Sequence, residues 1–173
     1  MKIGLAGTMS VGKTTLAKAL GELDQFKDHS VHTERSKYLR DLGIPLNTDS
    51  TLNGQFVFLA ERATELLYPN IITDRTIWDV CSFTMLAKSI VPHDKSQFVN
   101  AAMTLREQYD VVFYIEPVGV EMEDNGVRET NLEYRADINQ EILRLLSLCP
   151  PKKLVILHGS TKDRVKTVLD TLK

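Results

Sequence analysis

Short apolar runs of strand length alternate along this chain with longer stretches of helical period, the pattern of a parallel sheet wrapped by helices. Lys2 to Ala6 reads as the first strand, followed by a glycine-rich loop and a helix from about Lys13 to Leu23. Ser30 to Thr33 is a short second strand. Thr51 to Leu67 places Leu52, Phe56, Leu59, Ala63 and Leu66 at helical spacing, so these five are expected on one buried face. Pro69 breaks that helix, and Ile71-Ile72-Thr73 forms a short buried strand ending at Asp74. Ile77 to Ile90 returns to helix, Asp110 to Ile115 is a central strand, and Leu154 to Leu157 is the last. Ser160 and Asp163 have the spacing of a cap opening the C-terminal helix. The expected fold is therefore α/β: a doubly wound, five-stranded parallel sheet with right-handed crossovers.

One segment breaks the alternation. Glu116 to Thr130 is polar, contains two glycines and a proline, and has no clear period. Together with the start of the following helix, about Asn131 to Leu148, it is expected to form a lid over residues 116–135. Thr130 and Glu133 have capping-box spacing at that helix start. The 173 residues suffice for one domain and not for two, so 1–173 is read as a single unit. A net charge of -2 gives no overall reason to expect a polyanion partner. Cys81 and Cys149 lack metal-ligand spacing and read as reduced core thiols, and the four histidines are scattered. No stretch approaches a membrane span, and the Met-Lys start lacks a signal-peptide cleavage region, so a cytoplasmic protein is expected.

The chemistry is concentrated in Gly7-Thr8-Met9-Ser10-Val11-Gly12-Lys13-Thr14, which fits G-x-x-x-x-G-K-[ST] between a strand and a helix. Gly7 and Gly12 let the backbone turn back so that the N–H groups of Thr8, Ser10, Val11 and their neighbours point inward at phosphates. The helix N-terminus adds its positive dipole end. Lys13 places a charge on the β- and γ-phosphates, and the Thr14 hydroxyl is placed to ligate Mg²⁺. Thr15 lies one residue further on and is assigned to the α-phosphate or to packing.

Around this cradle the chain resembles the P-loop kinases of nucleosides and nucleotides: thymidylate kinases, deoxynucleoside kinases and kinase domains of the nicotinamide-riboside type. The resemblance spans nearly the whole chain, and its features follow in matching order. His32-Thr33-Glu34-Arg35 ends the second strand, where deoxynucleoside kinases carry a glutamate that accepts the proton of the attacking hydroxyl. A carboxylate there orients an alcohol and takes its proton as the P–O bond forms. Asp74-Arg75-Thr76 ends the third strand and resembles the Asp/Glu-Arg signature of both kinase groups. It implies that Arg75 clamps acceptor or transferred phosphate and that Asp74 reaches Mg²⁺ through water. Gln55, early in the preceding helix, corresponds to a glutamine that reads the base edge. Arg128 and Arg135, near Asp124 and Gly126, resemble lid arginines that close over the phosphates. Trp78 is open between stacking on a base and packing at a helix start, Asp79 neighbours the acceptor site, and Arg40 and Arg62 receive no role.

There are departures too. No apolar run beyond ITD ends in an acidic residue suited to the metal, although Glu116 in YIEP is an alternative, and Thr76 stands where Ser, Tyr or His is common. The leading expectation is transfer of the γ-phosphate of ATP, with Mg²⁺, to a (deoxy)nucleoside or nucleoside monophosphate. A second reading, from phage thymidylate-kinase-like enzymes, is phosphorylation of a hydroxymethylated pyrimidine in DNA; the net charge of -2 disfavours it, although Lys13, Arg35, Lys37, Arg40 and Arg75 could form a basic track. A third is a nucleotide-binding ATPase or switch, which would have to manage without an N-K-x-D motif, an arginine-finger helical domain or a sensor region. A homodimer stays open, and no membrane partner is expected.

Overall fold

Residues Lys2–Ala6 form β1, which pairs in parallel with β3 (Ile71–Asp74) on one side and with β4 (Val111–Ile115) on the other. β2 (Ser30–His32) extends the sheet beyond β3, and β5 (Leu154–Leu157) extends it beyond β4, giving the order β2-β3-β1-β4-β5 with every pair parallel. The computed structural model describes residues 1–117 and 131–173. Helices α1 (Lys13–Gly21), α2 (Ser36–Asp41), α3 (Leu52–Glu65), α4 (Ile77–Leu86), α5 (Pro92–Met103), α6 (Leu132–Leu148) and α7 (Thr161–Thr171) connect and cover the strands.

Strand alternation divides the core between the two faces of the sheet. Ile3 and Leu5 of β1, with Val111, Phe113 and Ile115 of β4, pack with Leu16, Ala17 and Leu20 of α1 and Val168 of α7. The intervening Val112 and Tyr114 join Ile77, Trp78 and Cys81 of α4, Phe98 of α5, and Ile138 and Ile142 of α6 on the opposite face. Both layers are dry, with Trp78, Tyr109, Phe113 and Leu16 fully buried. Gly4 has no side chain because none fits: a Cβ there would lie 2.7 Å from Thr76 and 2.9 Å from the Tyr109 ring. Covering a parallel sheet on both faces leaves its strand ends as the free surface, and β1 is where neighbouring strands lead off in opposite directions.

The strand boundaries agree with the sequence reading to within one residue, and the helices depart from it in three places. The helix expected over Ile77 to Ile90 stops at Leu86, and a second begins at Pro92. Pro92 occupies a first-turn position, where its missing N–H costs nothing, and the connection before it is tied down elsewhere. Lys88 N donates to Thr48 O at 3.0 Å, and Ser89 Oγ donates to Ser50 O at 2.6 Å. α6 is capped by Asn131 Oδ1, which accepts from Glu133 N at 2.9 Å and Tyr134 N at 3.2 Å, in place of the expected Thr130, which lies outside the described residues. On α3 the expected apolar face is displaced: Phe56 is half exposed, whereas Gln55, Arg62 and Glu65 are buried. Leu52 and Leu59 are partly buried against the core and Leu66 is fully buried. The Ser160–Asp163 capping box at α7 is present as read. Among the described residues, no helix is long and apolar enough to cross a membrane.

Candidate active site

The loop between β1 and α1 turns through a left-handed backbone at three places, Gly7 (φ 148°), Ser10 (φ 57°) and Gly12 (φ 86°). At Gly7 a Cβ would stand 2.9 Å from Ile115 O, so the first glycine is required by contact as well as by conformation. Lys13 opens α1 and folds its side chain back into the loop, where Nζ donates to Gly7 O and Thr8 O, each at 2.7 Å. Burial, and secondarily the nearby Arg75 cation, lowers its pKa to about 8, against the opposing pull of Asp79, Asp74 and Glu34. Thr8, Ser10, Val11 and Lys13 are buried, while Thr15 is exposed on the outer side of α1.

Thr14 and the end of β3 meet next to this loop. Thr14 Oγ1 donates to Asp74 Oδ2, and Asp74 Oδ1 is buried with no hydrogen-bond partner among the described residues. A buried carboxylate oxygen without a donor, beside a hydroxyl at a phosphate cradle, is the donor set that Mg²⁺ uses when phosphates and water complete its octahedron. Among the described residues, no cluster of three or more His, Cys, Asp or Glu is arranged to hold a metal by protein ligands alone.

Arg75 follows Asp74 at φ 81°, a strained conformation for a side chain other than glycine. Its guanidinium lies 4.9 Å above the Phe83 ring and its Nε is 3.7 Å from Glu34 Oε1. Burial alone would lower its pKa, but Glu34, Asp79 and Asp74 outweigh it and hold the cation above its ordinary value. Nε and Nη1 are buried with no hydrogen-bond partner among the described residues, and the ion pair with Glu34 is long at 3.7 Å. Glu34 Oε1 also accepts from Ser36 N at 3.0 Å at the start of α2, so the residue caps that helix as well as facing Arg75. Thr14, Glu34, Gln55, Phe58, Arg75 and Phe83 line one cavity of about 220 Å³. Thr14, Glu34, Gln55 and Arg75, all singled out in the sequence, thus line one opening.

The remaining candidates fall differently. Arg135 is buried on α6, with Nε donating to Met9 O at 3.2 Å and Nη2 to Ser10 O at 3.5 Å, while its own carbonyl accepts from Thr8 Oγ1 at 3.0 Å. It braces the cradle from outside. Arg128, Asp124, Gly126 and most of the expected lid lie outside the described residues. Trp78 does not stack in the cavity: it is fully buried and donates Nε1–H to Cys149 O at 2.9 Å. Cys81 and Cys149 are free thiols, as read.

Three side chains matter more here than the sequence indicated. Asp79 is fully buried: Oδ2 accepts from Thr76 N and Thr76 Oγ1, and Oδ1 accepts from Gly7 N at 3.3 Å, joining α4 to the cradle. Thr76 and Asp79 have capping-box spacing, so this signal was available in the sequence. Arg62 Nη1 donates to Asp74 O at 2.7 Å and to Arg75 O at 3.3 Å, and Nη2 donates to Glu65 Oε1 at 2.7 Å. It holds the strained turn. Arg164 of α7 donates from Nη1 to Val11 O at 2.6 Å, a contact across the sequence for which no local pattern exists.

A model of the AAA domain family matches residues 2–164 of this sequence. The chain belongs to that family. No match to the sequence of a curated protein was found. Among solved structures, the deoxyadenosine kinase from M. mycoides with the products dCMP and a flexible dCDP bound is similar over 99% of this chain and 98% of its own, with 15% identity and a TM-score of 0.61. A thymidylate kinase from Ehrlichia chaffeensis matches over 100% and 98%, with 15% identity and a TM-score of 0.65. The NadR protein in complex with NR matches over 97% of this chain and 50% of its own, with 19% identity and a TM-score of 0.73. The fold of this family member is therefore that of P-loop nucleoside and nucleotide kinases.

Proposed function

We propose that the protein is an ATP-dependent kinase that phosphorylates a hydroxyl of a small acceptor, a nucleoside or a close relative. The observation that carries this reading is the shared cavity: Thr14, Glu34 and Arg75 line it together with Gln55, Phe58 and Phe83, and Arg75 Nε lies 3.7 Å from Glu34 Oε1. A hydroxyl acceptor must lose a proton as it attacks, and Glu34 is the carboxylate in the cavity able to take it. The oxygen–phosphorus bond forms as the bond from the γ-phosphorus to the bridging oxygen of ADP breaks, and the proton passes to Glu34. Lys13 and Arg75 neutralise charge on the transferred group, and the cradle amides hold the remaining phosphates. Thr14 and Asp74 would hold Mg²⁺, which when bound neutralises charge on the β- and γ-oxygens. Gln55 offers a donor and an acceptor to a base edge, and Phe58 and Phe83 offer apolar walls. The cavity of about 220 Å³ sits below the roughly 300–1,000 Å³ of drug-sized sites, which favours a compact acceptor. The named activities of the deoxyadenosine and thymidylate kinases of like fold support a nucleoside or nucleotide in this place.

The test is a panel of nucleosides, nucleoside monophosphates and hydroxymethylpyrimidine-containing DNA, each incubated with γ-labelled ATP and Mg²⁺. Label transferred to a nucleoside is the expected result. Label on a monophosphate alone would transfer the assignment to nucleotide kinases, and label on DNA alone would point to base modification. Release of inorganic phosphate without any labelled acceptor would overturn the kinase reading in favour of an ATPase.

A further inference from the structure

The carbonyl side of the cradle carries a feature that the transfer chemistry does not require by itself. Every peptide oxygen from Gly7 to Val11 accepts a hydrogen bond from a cationic side chain. Lys13 Nζ takes Gly7 O and Thr8 O, Arg135 takes Met9 O and Ser10 O, and Arg164 takes Val11 O. The donors come from α1, α6 and α7, so both faces of the sheet contribute. Arg135 and Arg164 are buried, which puts two charges in a costly place unless they do something there. In a peptide unit the N–H points opposite to the C=O. Fixing the carbonyls of residues 9 to 11 outward therefore fixes the following amides inward, toward the phosphate position. Two of the three Lys13 Nζ donors go to these carbonyls and its charge is also wanted at the phosphates, so the two arginines are the cations given over wholly to holding the loop.

We infer that Arg164 and Arg135 are positioning residues that pre-set the cradle amides for polyphosphate, with Arg164 fixing the turn at Val11-Gly12 on which α1 begins. Gly12 fits this role: a Cβ there would stand 3.2 Å from Arg164 Nη1, so the second glycine of the motif makes room for the guanidinium as well as for the turn. The inference rests on the reading of residues 7–14 as a nucleotide cradle, and not on the identity of the acceptor.

Calorimetric binding of ATP and of inorganic tripolyphosphate tests it without any catalytic turnover. The controls are Arg164→Lys, which keeps the charge but replaces the planar guanidinium by a compact ammonium, and Val168→Ala, which removes buried packing one turn along the same helix. Arg164→Gln is expected to weaken both ligands by about tenfold and equally, since the effect acts on phosphates. Arg164→Lys should recover part of that loss, and Val168→Ala should lower the melting temperature while leaving both affinities near wild type. Wild-type affinity in a folded Arg164→Gln protein overturns the inference. So does a loss for ATP without one for tripolyphosphate, or an equal loss in Val168→Ala at matched melting temperature. A wild-type protein that binds neither ligand removes the cradle reading itself, and the inference with it.

Discussion

Lys13 is a single side chain asked to be charged in a place that disfavours charge. Its pKa of about 8, lowered first by burial and then by Arg75, leaves the free protein losing this cation just above neutrality. Bound phosphates favour the charged form, so binding takes up a proton once the pH exceeds about 8, and ATP affinity should fall as pH rises from there. The free fold responds with the opposite sign. Between about 8 and 10.5 the unfolded chain holds the extra proton, so this group's contribution to stability rises across that window. Calorimetry with ATP from pH 7 to 10 should show the loss of affinity, and Lys13→Met should remove both the step and most of the binding. A pH-independent affinity in the wild type would remove Lys13 from the phosphate site. Lys13→Met should also lower turnover at least a hundredfold, because positioned charge supplies most of the available catalysis. At Glu34 the expected result separates acceptor types. Glu34→Gln keeps the shape but cannot take a proton, and should lower turnover by about a hundredfold or more with ATP affinity little changed. Arg75→Ala should instead weaken acceptor binding as well, since Arg75 shares the cavity. Near-normal turnover of Glu34→Gln would return a monophosphate to the front.

At the scale of elements, α3 shows how function displaces a pattern. Its leucines at helical spacing suggested an ordinary buried stripe, yet the face turned inward carries Gln55, Arg62 and Glu65. Gln55 lines the cavity, and the other two serve the end of β3: Arg62 holds the carbonyls of Asp74 and Arg75, and Glu65 accepts from Thr73 Oγ1 at 2.8 Å. Arg62→Met should therefore strand Glu65 at a site only 7% exposed and release the strained turn at Arg75. A cost of about 3–5 kcal/mol in urea unfolding is expected, as for a broken buried pair, and Arg62→Met/Glu65→Leu should regain much of it without regaining activity. If the single variant unfolds like wild type, the network is not holding the turn. Period and punctuation made the strands legible, because a buried parallel strand is a short apolar run with turn residues beside it. The glycines and Lys13 of the cradle were legible because their neighbours in sequence are also their neighbours in the site, and Glu34 and the Asp74-Arg75 turn because they stand where the resembling kinases carry their motifs. The inward face of α3, the tie from Lys88 to Thr48 that stops α4, and the reach of Arg164 to Val11 were not, since each depends on contacts between distant segments.

For the whole molecule, the cradle is the place where the two halves of the core are joined. Its loop is bonded by Asp79 of α4 and Arg135 of α6 on one face of the sheet and by Arg164 of α7 on the other, and Thr14 ties it to the end of β3. A ligand seated there touches a loop that global unfolding must dismantle, so its binding energy should appear as stability of the entire domain rather than of one segment. At an ATP concentration about a hundred times the dissociation constant, the linkage contributes about 2.7 kcal/mol. For a chain of this size that corresponds to a rise of roughly 5–10 °C in melting temperature. The rise should be larger with Mg²⁺ than with EDTA, because Asp74 Oδ1 is buried with no hydrogen-bond partner among the described residues and a cation would supply one. A nucleoside acceptor added with a non-hydrolysable ATP analogue should raise it again, since the acceptor cavity shares Thr14 with the cradle. Lys13→Met should abolish the nucleotide-dependent part and spare the fold. Thermal melts of wild type and variant, with and without each ligand, measure all of these shifts in one format. A wild-type melting temperature that ignores millimolar ATP with Mg²⁺ would mean that the loop does not bind nucleotide under those conditions. A shift that survives Lys13→Met unchanged would place the nucleotide somewhere other than the cradle.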